Sequence, residues 1–292
     1  MSSPCVTIGV PVRNGEAGLE ACLACLTGQT YTDIAILISD NDSTDGTADI
    51  AHDAMRHDSR IQYIRQPHNI GALANFSFTL RAAKSPYFMW RAFDDLSNDH
   101  YVENLTAALE AHPGAVLAAP RSETLRVQMD KRRVRMPPSP DEAPRSRFAA
   151  ERWMLRRLQA GWFYGLFRRA FLIDAMLFVE KHYRHVWAWD FLILATATLR
   201  SEIVSVPDAT FVHRLTGAPK HYSSSDDPAA RVDLARNYWS VLQLLLAEKT
   251  MTPTQRLLHE IAFVWHMQRR VAKWGALIHA AGGTQPNPGG TV

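Results

Sequence analysis

The 292-residue sequence predicts an α/β protein: a mostly parallel sheet flanked by helices, followed by a helical C-terminal extension. Three observations predict it. Strand-like and helix-like segments alternate through the first 120 residues, the signature of consecutive βαβ units. The strand-like segments are short β-branched or apolar runs, as strands of a parallel sheet covered on both faces should be. After residue 223 the alternation gives way to two long helical patterns. A hydrophobic fraction of 47% and a charged fraction of 21% are ordinary for a globular chain, and this length buries a sizeable core.

The elements follow in order. "CVTIGV" is a β-branched run, and "GEAGLEACLACLTGQT" after it has apolar residues at helical spacing. "DIAILIS" is a second buried strand, and "STDGTADIAHDAMRH" a second helix, capped by Ser43 or Thr44. "IQYIRQ" and "PYFMWRA" are strands on either side of the helix "NIGALANFSFTLRAAK". "DHYVENLTAALEAHPG" places Tyr101, Val102, Leu105 and Leu109 on one helical face and ends at Pro113–Gly114, before the strand "AVLAAP". Residues 124–147 mix strand, charge and proline, which predicts a mobile excursion with "PPSPDEAP" at its tip. "FAAERWMLRRLQAG" is a helix, "WFYGLFRRAFLIDAM" a strand leading into a helix, and "WAWDFLILATATLRS" a helix led by Asp190. "EIVSVPDATFVHRL" is strand-like, and residues 228–249 and 253–280 are helical. The closing "GGTQPNPGGTV" reads as disordered. This organisation divides the chain into 1–120, 121–222 and 223–292.

Charge and cysteine usage narrow the function classes. Between Arg121 and Arg157 eleven Lys/Arg stand against five Asp/Glu, although the whole chain carries only +3. Such a block fits an anionic partner or a solvated loop. It does not fit a nucleic-acid binder, because Trp153 alone does not interleave the cations with stacking aromatics. Cys22 and Cys25 form C-x-x-C inside a helical apolar pattern, which reads as two buried thiols rather than a redox pair or half a zinc site. With Cys5 they make three cysteines and no disulfide framework, which fits a reducing compartment. The N-terminus lacks the pattern of a signal peptide, and no run approaches eighteen apolar residues. A cytoplasmic protein is expected. The segment 251–281 joins apolar residues, two tryptophans and Arg269, Arg270 and Lys273; it can lie on the inner face of a plasma membrane, or pack as a core or homodimer helix.

In an open parallel sheet, ligands bind beyond the carboxyl ends of the strands. The polar loops lie there: "PVRNGE", "DNDSTDGT", "RQPHNIG" and "FDDLSND" each follow a strand. None is a P-loop or a G-x-G-x-x-G turn, so a carboxylate-held metal is the remaining common way to neutralise a diphosphate. Asp94 and Asp95 at the fourth strand end can hold a metal, cap the next helix or sit in water.

Taken in order, these motifs resemble the opening of a family-2 glycosyltransferase of GT-A fold: strand, P-x-x-N, helix, Q-T-Y, a second strand, D-N-x-S-x-D-G-T, then N-x-G and an acidic pair. The resemblance covers residues 5–120 well and 160–215 loosely. It implies inverting transfer of a sugar from a UDP-, dTDP- or GDP-sugar to a saccharide or lipid-linked acceptor, with Mn²⁺ or Mg²⁺ as cofactor. It places Pro11, Arg13 and Asn14 beside the nucleotide base, with Asp40 and Asn41 where the family has an Asp–Asp pair and Asn69 and Gly71 on the N-x-G motif. Asp95 becomes the metal ligand and Asp94 the contact to sugar or ribose; in extended chain the two carboxylates point to opposite faces. Ala92 stands where the family has the first aspartate of D-x-D. Asp190 becomes the general base, although it also reads as a helix-first-turn aspartate. His213 and His221 complete the metal shell or are ordinary histidines, and Arg65 and Arg168 contact phosphate. The losses at Asn41 and Ala92 leave a second reading open, a catalytically silent GT-A module that binds a nucleotide or a partner transferase.

Overall fold

A computed structural model describes residues 4–126, 131–135, 144–215 and 227–270. Most of the proline-rich tip, His221 and the last eleven residues lie outside them. Four strands build the first half of the sheet: β1 (Val6–Val12), β2 (Ile34–Asp40), β3 (Ile61–Arg65) and β4 (Tyr87–Trp90). All pair in parallel, in the order β3-β2-β1-β4. Every residue of β1 is buried, the burial its continuous apolar sequence requires. The winding reverses across β1, because β2 and β3 lie on one side of it and β4 on the other. The loops after β1, β2 and β4 therefore open at a topological switch point.

The second half is mixed. β5 (Leu96–Ser97), β6 (Ala115–Arg126), β7 (Lys131–Arg135), β8 (Leu166–Arg168) and β9 (Glu202–Leu215) extend the same sheet. β8 lies antiparallel between β4 and β6, and β6 and β9 are parallel, so six strands share one direction. "TLR" of the expected excursion is the end of β6, which pairs with β7 as a hairpin. The β6–β9 register jumps where Pro120 faces Val206 but Arg121 faces Thr210. Beyond this bulge β9 stays paired with β6, and its other edge meets β5, with Leu96 opposite Val212. Asp95 thereby comes opposite His213.

Helices cover both faces. One core lies beneath α1 (Leu19–Thr27), α2 (Thr47–His57) and α4 (Tyr101–Ala111). The other joins α3 (Ala72–Ala82), α6 (Arg169–His182), α7 (Trp189–Arg200) and α8 (Pro228–Ala247), with Phe263 and Met267 of α9 (Pro253–Arg270). α5 (Arg147–Leu155) packs against α9. Two local expectations are corrected. α2 starts at Thr47 with no side-chain cap at Gly46, because the Ser43 hydroxyl instead accepts from Asn14 N and Thr44 N donates to Asn14 Oδ1. Arg168 faces the start of β4: its guanidinium donates to Ala115 O and Leu109 O and covers the Tyr87 ring, at the opposite sheet edge from the polar loops. It cannot reach a phosphate bound there. Among the described residues no helix is long and apolar enough to cross a membrane.

Candidate active site

The β1–α1 and β2–α2 loops interlock before any ligand arrives. Asn14 takes φ +52, a left-handed conformation, and its side chain holds the backbone of Thr44. Gly15 N donates to Thr47 Oγ1 at 2.8 Å and Glu16 N to Asp45 Oδ2 at 3.0 Å. Pro11 is buried in β1, whereas Arg13, two residues on, is exposed. Asp40 at the end of β2 is fully buried and fully used. Its oxygens accept from Ser43 N at 2.8 Å and from the Tyr63 hydroxyl at 2.6 Å. Burial and that bond push the Tyr63 phenol up to about 12. Arg65 closes the turn by donating to Asp42 Oδ1 and Ser43 O.

Asn41 is only 2% exposed, and its amide bridges two loops. Its Nδ2 donates to Asn69 Oδ1 and its Oδ1 accepts from Ile70 N, each at 2.8 Å. Asn69 Oδ1 also accepts from Gly71 N. Gly71 sits at φ +83 and ψ 160, a region in which a side chain is strained although nothing crowds the position. An amide does here what a carboxylate could not, since one end must donate and the other accept. One hydrogen on Nδ2 and one lone pair on Oδ1 of Asn41 remain outside these two bonds.

The acidic segment forms a turn rather than extended chain: Asp95 N donates to Ala92 O at 3.2 Å. Ala92 O also accepts from the Cys22 thiol, and Ser97 O from the Cys25 thiol. C-x-x-C therefore supports the acidic loop from below, and Cys22 is buried as its spacing predicts. At Gly18, just before α1, a Cβ would come within 3.0 Å of Asp94 Cα, so this backbone approach admits little more than glycine. Neither aspartate caps α4, whose N-terminus has no side-chain cap.

Asp95 is fully buried. Its Oδ1 accepts from Arg214 N at 2.9 Å, and His213 Nδ1 lies 3.1 and 3.2 Å from its two oxygens. Two donors on one octahedral ion, each about 2.1 Å away at a right angle, stand about 3 Å apart. The pair fits a divalent cation on that ground. No cluster of three His, Cys, Asp or Glu suited to a metal occurs among the described residues, so the rest of such a shell would be ligand oxygen and water. Asp94 is half-buried; burial and the charge of Asp95 hold its carboxyl above the usual range, against the nearby His213 and Arg214.

Asp190 lies in the first turn of α7, in the other half of the chain. Burial raises the Tyr164 phenol, and the charges of Asp95, Asp190 and Asp94 raise it further. Aromatic packing fixes the arrangement. Trp90, four residues before Asp94, stacks on Phe163 at 4.6 Å, and Trp189 meets both at 5.9 and 4.9 Å. Ala188 ahead of α7 sits at φ +66. That strain costs about 1–3 kcal/mol and is offset by burying Trp189 and Phe191, each worth about 1.5–3 kcal/mol. The strained Ala188 immediately precedes α7, with Asp190 in that helix's first turn.

Two residues escaped sequence reasoning. Tyr164 had no signal within "WFYG". Arg91 did have one, a charge inside the apolar strand end "MWRAF". It is fully buried, and none of its guanidinium nitrogens meets a hydrogen-bond acceptor among the described residues. It rests instead on the rings of Tyr101 and Phe211, 5.0 and 5.5 Å away. Arg91 places a positive charge beneath the acidic turn.

The sequence profile of glycosyl transferase family 2 matches residues 7–174, more than half of the chain. The chain belongs to glycosyl transferase family 2. This glycosyltransferase is 31% identical over 114 residues to an uncharacterised glycosyltransferase of Haemophilus influenzae, covering 38% of its own length and 45% of the relative's. It is 28% identical over 103 residues to the glycosyltransferase GlyG of Streptococcus pneumoniae, covering 35% and 34%. The match thus spans less than half of those relatives. In three dimensions it resembles Staphylococcus aureus TarS residues 1–349, solved with UDP-GlcNAc, at a TM-score of 0.69 over 90% of this chain and 72% of that one, with 15% identity. It also resembles the mannosyltransferase PcManGT of Pyrobaculum calidifontis, solved with GDP-Man and Mn²⁺, at 0.54 over 98% and 78%, with 18% identity. At such identities the likeness speaks for the fold, and the fold is GT-A-type.

Proposed function

We propose that this family-2 enzyme transfers a sugar from a nucleoside-diphosphate sugar to an acceptor hydroxyl with inversion, in the assembly of a saccharide or a lipid-linked saccharide. The observation that carries the reading is the Asp95–His213 pair, with Asp94 next to it in the acidic turn, at the switch point of the sheet. The donor lies across the first 120 residues: the base by Pro11, Arg13 and Asn14, over the floor that Asp40, Asn41, Asn69 and Gly71 build. Arg65, already holding Asp42 and Ser43, is the cation nearest that floor. Asp95 and His213 hold Mn²⁺ or Mg²⁺, which when bound neutralises the diphosphate leaving group.

Asp94 contacts the sugar or ribose, and its raised affinity for a proton suits a group that hydrogen-bonds to hydroxyls. Asp190 takes the proton of the acceptor hydroxyl. The acceptor oxygen then bonds to the anomeric carbon from the face opposite the breaking bond to diphosphate, so no enzyme nucleophile is needed. Residues 121–222 shape the acceptor side. UDP-GlcNAc in TarS and GDP-Man in PcManGT mark the donor class and leave the base and sugar of this enzyme to be found. Three free thiols agree with a cytoplasmic site for the reaction.

A thermal-shift and donor-hydrolysis panel of UDP-, dTDP- and GDP-sugars with Mn²⁺, Mg²⁺ or chelator tests this directly. Stabilisation and slow hydrolysis by at least one metal–donor pair is expected. A chain that neither binds nor hydrolyses any of them does not have this function.

A further inference from the structure

The outer face of α9 is the least ordinary surface of the molecule. Leu257, Leu258, Ile261, Val264 and Trp265 follow i, i+1, i+4, i+7, i+8 spacing and are each between 38 and 56% exposed. The inner face carries Ala262, Phe263 and Met267, but also His259 and His266, which are buried on Glu151 and the Tyr238 hydroxyl. A helix at a protein–water boundary shows the reverse pattern, with its polar residues outward. A contiguous apolar stripe over three turns is a surface that something covers.

Charge says what covers it. From Ile261 to Val292 the sequence has no Asp or Glu, and it has three cations, Arg269, Arg270 and Lys273. The Arg269 guanidinium lies over the Trp265 ring at 4.6 Å, so the last apolar residue of the stripe already carries a cation at its edge. A second copy of the same face would bring three more cations and no acid from this segment to pair them. An anionic lipid surface supplies both an apolar layer for the stripe and negative headgroups for the cations. We infer that α9 docks on an anionic bilayer, lying in the plane of the interface with Leu257, Ile261 and Trp265 inserted. The reading stands independently of the donor site, since it uses no residue of that site.

Co-sedimentation of the full chain with phosphatidylcholine vesicles, and with vesicles containing phosphatidylglycerol, tests it. Binding is expected only to the phosphatidylglycerol vesicles, and it should weaken as salt rises. Ile261→Glu with Trp265→Glu should lower the vesicle-bound fraction at least about tenfold, as should Leu257→Glu with Ile261→Glu. Arg269→Gln with Lys273→Gln should lower it about thirtyfold, at roughly 1 kcal/mol per cation. Leu257, Ile261, Trp265 and Arg269 are exposed, Lys273 lies outside the described residues, and an unchanged thermal melt identifies the variants that remain folded. Absence of binding to either vesicle overturns the proposal. So does equal binding by folded variants. A concentration-dependent dimer that Ile261→Glu dissociates, with no vesicle binding, assigns the stripe to a second copy and overturns it as well.

Discussion

Two buried carboxylate sites in this molecule are built on opposite principles. At the acidic turn, Asp94 and Asp95 are adjacent and partly or wholly withdrawn from water, and burial together with the charge of Asp95 raises the affinity of Asp94 for protons. At the junction of α5, α8 and α9, Glu151 is just as buried yet fully satisfied. His259 Nε2 lies 3.0 Å and Lys249 Nζ 2.5 Å from its two oxygens. Burial pushes the Glu151 carboxyl up, but the bonds to His259 and Lys249 outweigh it and hold the carboxyl below its ordinary value. A group that stabilises the fold is given its counter-charges from within the chain. A group that awaits a ligand is left short of them, and the chain carries the cost. Arg91 is the same lesson with the sign reversed, a buried cation without an acceptor beside the carboxylates.

The contrast can be broken by substitutions that remove charge while keeping shape. Asp190→Asn should lower turnover about 10²–10⁴-fold and leave donor binding and the melting temperature close to those of the parent. A loss of folding on the scale of a core variant would move Asp190 into the structural class. Glu151→Gln should do the opposite. Unfolding in urea should show a loss of about 2–3 kcal/mol, because Lys249 and His259 lose their carboxylate, while turnover per folded molecule stays unchanged. The pH dependence carries a sign. Because the Glu151 carboxyl is held below 4.5, its contribution is fully present above about pH 4.5 and disappears as pH falls through the lower folded value. Glu151→Gln should flatten the acid limb of the stability curve.

Asp94→Asn is the mirror case and the smallest effect. Its folded carboxyl lies above 3.8, so the stability it costs is absent in acid and grows as pH rises through the folded value. Above that window the asparagine variant should melt about 1–3 °C higher than the parent, with no gain at the acid end. A lower melt at neutral pH would show that Asp94 is held as a satisfied group after all.

How much of this was legible in the sequence depended on distance along the chain. The parallel half of the sheet and the order of its polar loops were readable, because each strand and the loop after it form one local unit. Of the C-x-x-C thiols, Cys22 is buried as its helical spacing predicts, whereas Cys25 is only half-buried. Pairings across the chain were not. Asp95 meets His213 across a sequence separation of 118, a three-residue jump in the β6–β9 register and a two-residue strand, none of which has a local signature. Arg168 was misplaced because an arginine at a strand end looks the same at either edge of a sheet. Asn41 was legible as a neutral amide standing where the family has a carboxylate, but not as the bridge to Asn69 and Ile70 that its two ends make.

The central claim is that Asp95 and His213 bind a divalent ion together with the donor's diphosphate. Calorimetric titration of the nucleoside diphosphate selected by the donor panel, with Mn²⁺ and then with chelator, tests it on the parent enzyme, Asp95→Asn and His213→Ala. The account predicts binding by the parent only when Mn²⁺ is present, loss of that binding in Asp95→Asn, and a drop of about 10–100-fold in His213→Ala. Equal binding with chelator, or by a folded Asp95→Asn, would contradict it.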